Sequence, residues 1–117
     1  MLPSVSTGRP GAARGAVKLI VIYDRPDDPK AFFEHYETVH IPLVKRLPGL
    51  RSFVLNRVTA DLTDGQPPYA LIAEMTFDDH ASFDAAMSSP ENQAAGQDLM
   101  SFARGKVRVL VGDCAEA

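Results

Sequence analysis

The sequence predicts an α+β domain with one four-stranded antiparallel sheet and its helices packed on one face. Three observations carry this. Four apolar runs of strand length alternate with two segments of helical periodicity. Their order along the chain is β-α-β-β-α-β. The length of 117 residues fits one domain and leaves no room for a second core. That order is the ferredoxin-like split βαβ arrangement.

Residues 17–23 (VKLIVIY) are rich in β-branched side chains and read as a buried strand. A turn crowded with Asp and Pro follows. Asp28 supplies a helix N-cap and Pro29 the first helical position. Phe32, Phe33, Tyr36, Val39, His40, Leu43, Val44 and Leu47 then recur at spacings of three and four, one face of a single helix. Pro48-Gly49 stops it. Residues 50–59 and 69–77 are the next two strands, joined by a hairpin-type loop with Asp64-Gly65 at its tip. Asp78-Asp79 caps a second helix through residue 87. Ser89-Pro90-Glu91 restarts it to about residue 103, and Gly105 closes it. Residues 107–111 form the last strand.

An antiparallel sheet with one wet face alternates apolar and polar residues. Here Val17, Leu19, Val21 and Tyr23 fill one face of the first strand, yet Ile20 and Ile22 occupy the other. In the third strand Leu71, Ala73, Met75 and Phe77 oppose Ala70 and Ile72. The helices cover one face. A second copy of the chain is the expected cover for the other, giving a dimeric α+β barrel.

Composition removes several classes of function. A net charge of −3 argues against a nucleic-acid partner. No apolar run approaches the roughly 20 residues of a membrane span. One cysteine cannot make an internal disulfide, so a cytoplasmic location is expected. One cysteine and three scattered histidines do not build the usual structural zinc site. No Walker loop, GxGxxG or serine elbow is present, so neither a bound nucleotide nor any other cofactor is expected. Residues 1–16 are rich in Gly, Pro, Ala, Ser and Arg and read as a flexible, dispensable leader. The domain is expected over 17–113, with 114–117 as a C-terminal tail.

The chemistry-bearing cluster lies on the first helix. Tyr36 and His40 are four apart and share the face that packs on the sheet. Pro42 cannot donate to the Thr38 carbonyl, and its ring clashes there, so the helix should kink beside His40. His40 is the candidate acid or base, with Tyr36 as its catalytic companion. Tyr23, Asn56 and Glu74 are candidate substrate-binding residues, and Glu74 or Asn56 is expected across from His40. Arg51 and Arg57 share a strand face that could anchor an anion. His35 and His40 are five apart and fall on different faces of an α-helix. That excludes a metal pair of the HExxH type, and no metal site is expected.

These residues resemble a known family. The sequence Tyr36-x-x-x-His40-Ile41-Pro42-Leu43-Val44, followed by Leu47-Pro48-Gly49-Leu50, resembles the EthD family, named for an ethyl tert-butyl ether degradation protein. The likeness continues through Pro67-Pro68-Tyr69, the strand Ala73-Glu74-Met75-Thr76-Phe77 and the helix start Ser88-Ser89-Pro90-Glu91. It spans about residues 17–113. The resemblance implies a ferredoxin-like fold and a homodimeric barrel. The wider superfamily includes muconolactone-type isomerases, polyketide cyclases, cofactor-free monooxygenases and haem proteins. In its methylmuconolactone isomerase branch a helix tyrosine and histidine belong to the pocket, and Tyr36 and His40 stand at the matching places. That branch also uses a pocket cysteine, a part Cys114 is not placed to play.

The expected function is a cofactor-independent oxidoreductase or isomerase acting on a small apolar or aromatic, oxygenated metabolite. The alternatives are a non-catalytic binding or accessory protein of an oxidative pathway and a haem-binding barrel with His40 as axial ligand.

Overall fold

A computed structural model describes residues 15–117. Most of the expected leader therefore lies outside the described residues. Ala16 lies inside them: it is buried, and its carbonyl accepts the Cys114 N–H at 2.8 Å.

Four strands form one antiparallel sheet: β1 Val17–Asp24, β2 Leu50–Arg57, β3 Tyr69–Phe77 and β4 Val107–Asp113. Their order is β2-β3-β1-β4, which is the expected ferredoxin-like topology. β3 lies between β1 and β2, with Leu19 opposite Met75 and Val21 opposite Ala73. Because side chains alternate across a strand, this register gathers Val17, Leu19, Val21 and Tyr23 with Leu71, Ala73, Met75 and Phe77 on one face. All eight are buried.

The helical layer on that face contains α1 Pro29–His35, α2 Ile41–Val44, α3 His80–Met87 and α4 Pro90–Ala103. The expected caps form. Asp28, Asp79 and Ser89 accept from the backbone N–H of Ala31, Ser82 and Asn92. None of the described helices is long and apolar enough to cross a membrane.

The single helix expected over 29–47 is instead interrupted. Between α1 and α2 a π-helical turn spans Tyr36–His40, closed by the Ile41 N–H on the Tyr36 carbonyl. The cause follows from Pro42, whose missing N–H and bulky ring disfavour an α-turn onto Thr38. The chain absorbs one surplus residue just before it, so the expected kink takes the form of a widened turn. That turn also corrects the placement of His35 and His40. Five residues on a regular α-helix subtend about 140° around the axis, whereas the wider turn narrows the angle and brings both imidazoles to one side.

The second sheet face carries Ile20, Ile22 and Ile72, half-buried, beside the exposed Val54 and Leu110. No element among the described residues packs on it.

Candidate active site

A cavity of about 200 Å3 opens between the π-turn, α4 and the sheet. Its walls are apolar: Leu19, Val21 and Met75 from the sheet, Val44 and Leu47 from the first helical segment, Leu99 from α4. Four polar side chains reach it, namely Tyr23, Tyr36, His40 and Asn92. A larger cleft of about 500 Å3 lies outside, lined by Asp27, Asp28, His35, Arg104 and Lys106. It is open and half polar, and neither Tyr36 nor His40 lines it. The smaller cavity has the convergent polar groups and apolar walls of a small-molecule site.

His40 is buried at 4% exposure, and its Nδ1 stands 2.9 Å from Asp98 Oδ2. A carboxylate only accepts, so Nδ1 carries the proton and Nε2 keeps its lone pair. Among the described residues no group hydrogen-bonds Nε2, and the ring forms part of the cavity wall. Burial lowers the His40 pKa from its ordinary 6.5, and the Asp98 carboxylate opposes this incompletely. The neutral base is thus the native form.

The sign of that shift makes a prediction. The folded state resists a proton that the unfolded chain accepts at about 6.5. His40 therefore contributes stability that is complete above that pH and is lost progressively as the pH falls below it. Thermal melts between pH 8 and 5 should show this loss, and His40→Gln should flatten it. A wild-type melting temperature that rises on acidification would contradict it.

Tyr36 packs one turn from His40, ring centroids 5.3 Å apart, and Tyr23 meets it edge-on at 5.4 Å. Burial raises the pKa values of both phenols, that of Tyr36 up to about 12. They stay protonated at neutral pH and act as donors. Phe102 packs against the rings of both His35 and His40, at 4.8 and 5.2 Å.

Tyr23, Tyr36 and His40 are therefore brought together. Asn56 and Glu74 are not, which corrects the expectation that one of them faces His40. Glu74 alternates with the buried Ala73 and Met75 and so points to the opposite sheet face. There it accepts from Lys18 Nζ at 3.0 Å and from Asn56 Nδ2 at 2.9 Å. The Lys18 ammonium is the main cause of the lowered Glu74 pKa. The arginines expected to anchor an anion are engaged elsewhere: Arg57 with Glu37 at 2.9 Å and Arg51 with Asp78 at 3.4 Å.

The partner of His40 is Asp98, which the sequence reading missed. A signal for it exists. Ala95, Asp98, Leu99 and Phe102 recur at helical spacing, so Asp98 is a carboxylate on the apolar stripe of α4. Such a residue must be paired. His35 was set aside because α-helical spacing turned it away, and the π-turn reverses that. No group of three or more His, Cys, Asp or Glu among the described residues could hold a metal ion.

The EthD domain family matches residues 25–106. The chain belongs to the EthD family. A relative from Rhodococcus erythropolis, described as an uncharacterized 11.0 kDa protein in the thcB-thcC intergenic region, is 38% identical over 97 residues, 82% of this chain and 92% of its own. The crystal structure of an EthD family protein from Bacillus halodurans superposes with a TM-score of 0.80 at 39% identity, covering 84% of this chain and 97% of that one. More distant structures share the fold alone. One is a hydroxynitrile lyase from Passiflora edulis, with TM-score 0.69 and 17% identity over 87% of this chain and 95% of its own. Another is the cofactor-independent oxygenase SnoaB from Streptomyces nogalater, with 0.65 and 16% over 88% and 96%. Other structures of the EthD chain's fold are described as dimeric ferredoxin-like proteins.

Proposed function

We propose that this EthD protein is a cofactor-independent proton-transfer enzyme, an isomerase or an oxidoreductase, for a small, largely apolar, oxygenated metabolite. One observation carries the reading: a buried histidine held by a carboxylate at Nδ1, with its ring in the wall of an apolar cavity and its Nε2 without a hydrogen-bond partner among the described residues. Nε2 takes a proton from an acidic C–H or O–H of the substrate. Asp98 stabilises the imidazolium that forms. The Tyr36 hydroxyl donates to the oxygen where negative charge develops, backed by Tyr23. Isomerisation returns the proton to another atom of the same substrate. Oxidation of a hydroquinone instead passes its two electrons and two protons to dioxygen, leaving a quinone and hydrogen peroxide. Two proteins of this fold, described as a cofactor-independent oxygenase and a hydroxynitrile lyase, lend support to the reading.

The cavity volume supports a small substrate. About 200 Å3 lies below the roughly 300–1,000 Å3 of sites for drug-sized ligands, so a single ring or short chain fits. The same volume, walled by Leu19, Met75 and Leu99, does not fit a tetrapyrrole, and no step is assigned to haem. The test is deuterium wash-in from solvent into single-ring enolisable ketones and hydroquinones, followed by NMR together with dioxygen uptake. The wild type should accelerate one of these. Tight binding of every probe with neither exchange nor oxygen uptake would overturn the enzyme and leave an accessory binding protein.

The working unit is a homodimer joined through the open sheet faces. Ile20, Ile22, Ile72, Val54 and Leu110 surround the Lys18–Glu74–Asn56 contacts there, and the described helices leave this apolar-rich surface uncovered. A second copy supplies the same surface in return. Light scattering at micromolar concentration should give twice the chain mass of 12.7 kDa. Val54→Lys combined with Leu110→Lys should shift it towards the monomer. A wild-type monomer would overturn this.

A further inference from the structure

Asp98 carries two imidazoles, and the proposed chemistry uses one. His35 Nε2 lies 2.9 Å from Asp98 Oδ1, while His40 Nδ1 takes Oδ2 at the same distance. His35 is no part of the cavity wall. It lines the outer cleft, and its side chain is 34% exposed against 6% for His40. One carboxylate thus links a solvent-facing ring to a buried one. Building on the reading of His40 as base, we propose that His35 is a positioning residue. It pins the outer oxygen of Asp98, keeps the inner oxygen on His40, and sets how much negative charge the carboxylate offers a proton on His40.

The argument is electrostatic and geometric. A carboxylate at the end of a short side chain can swing unless both oxygens are engaged. Among the described residues, the other side-chain hydrogen bond to the Asp98 carboxylate is a long 3.5 Å approach of Ser101 Oγ. Neutral His35 donates its Nε2–H, restrains the group and leaves its full charge to His40. A proton on His35 turns that bond into an ion pair, and the same charge must then serve two cations. The titratable and charged groups around His35 are Asp98 on α4, which its ring touches, His40 about one turn away, and Asp27, Asp28, Arg104 and Lys106, which line the same outer cleft. Lys106 is paired with Asp27 at 3.3 Å, and Asp28 caps α1. Of these, Asp98 is the carboxylate in hydrogen-bond contact with the His35 ring. A charge on His35 also disfavours one on His40, in the same direction as burial.

The test follows the His40 ring directly, by NMR on 15N-histidine protein, in wild type, His35→Gln and His35→Leu. The Gln amide places an N–H near the position of Nε2 but does not titrate. His35→Gln should keep the single Nδ1–H tautomer of His40 and shift its titration to higher pH. His35→Leu should leave a mixture of tautomers and lower deuterium exchange on a probe about tenfold, the size of effect seen when an orienting partner is lost. Identical His40 titrations and tautomers in the wild type and His35→Gln would overturn the proposal, whether or not the Leu variant folds. The two readings separate cleanly. If the titration moves but His40→Gln exchanges as fast as wild type, the coupling stands and the base assignment fails. If His40→Gln abolishes exchange while the titration stays put, the base stands and His35 has no such role.

Discussion

His40→Gln should lower turnover roughly 10²–10⁴-fold, the usual contribution of a positioned acid or base, while leaving the fold intact. Glutamine is close in volume and offers an N–H to Asp98, so the buried carboxylate is not stripped of its partner. What is lost is the lone pair of Nε2. The measurement pairs the initial rate of probe deuteration with a thermal melt at pH 8, where the imidazole is neutral. A slow but folded variant supports the base. A variant that unfolds instead assigns His40 a role in packing, against Tyr36 and Phe102, its ring neighbours at 5.3 and 5.2 Å. An unchanged rate removes His40 from the chemistry.

Phe77→Ala should cost about 3–5 kcal/mol of stability, the range for deleting a buried aromatic side chain. Phe77 has no exposed surface. It closes β3 opposite both Val17 and Leu50, and meets Phe83 of α3 edge-on at 5.6 Å. It therefore joins three strands to the helical layer. Removing the ring forfeits its burial and leaves a void that rigid strand backbones cannot close. Urea titration at fixed protein concentration measures the loss, since the midpoint of any self-associating protein moves with concentration. Leu62→Ala, at 98% exposure in the β2–β3 loop, is the control and should change nothing. A cost below about 1 kcal/mol for Phe77→Ala would mean that the site collapses, contrary to its tight enclosure.

The sheet was legible because its signals are local. The alternation of Val17, Leu19, Val21 and Tyr23 and of Leu71, Ala73, Met75 and Phe77 marks one face in the sequence, and that face is the buried one. The caps at Asp28, Asp79 and Ser89 were equally plain, as each needs only a side chain and an N–H three residues on. Tyr36 and His40 were found because they share one apolar stripe. Asp98 was not, because its partner is 58 residues away and only the packing of α4 on the first helical segment joins them. Glu74 was misassigned for a related reason. A carboxylate in an apolar strand demands a partner, but the demand does not say on which face, and Lys18 and Asn56 met it on the far side. His35 was lost to the assumption of uniform winding, which Pro42 breaks.

The π-turn also has a bearing on how the chain can change length. A helix with one surplus residue holds its two flanks in the phase they would have without it. Removing one residue between Tyr36 and His40, such as the exposed Val39, would take out that surplus and leave Pro42 to be absorbed by a local kink. Phe32 would stay on the core at one end and Val44 at the other, and His35 would stand four positions from His40, still a neighbour on an α-helix. The same deletion inside α4 would swing Ala95 or Phe102 by about 100° off the sheet. Single-residue insertions and deletions among EthD relatives should therefore collect in this turn and be absent from α4.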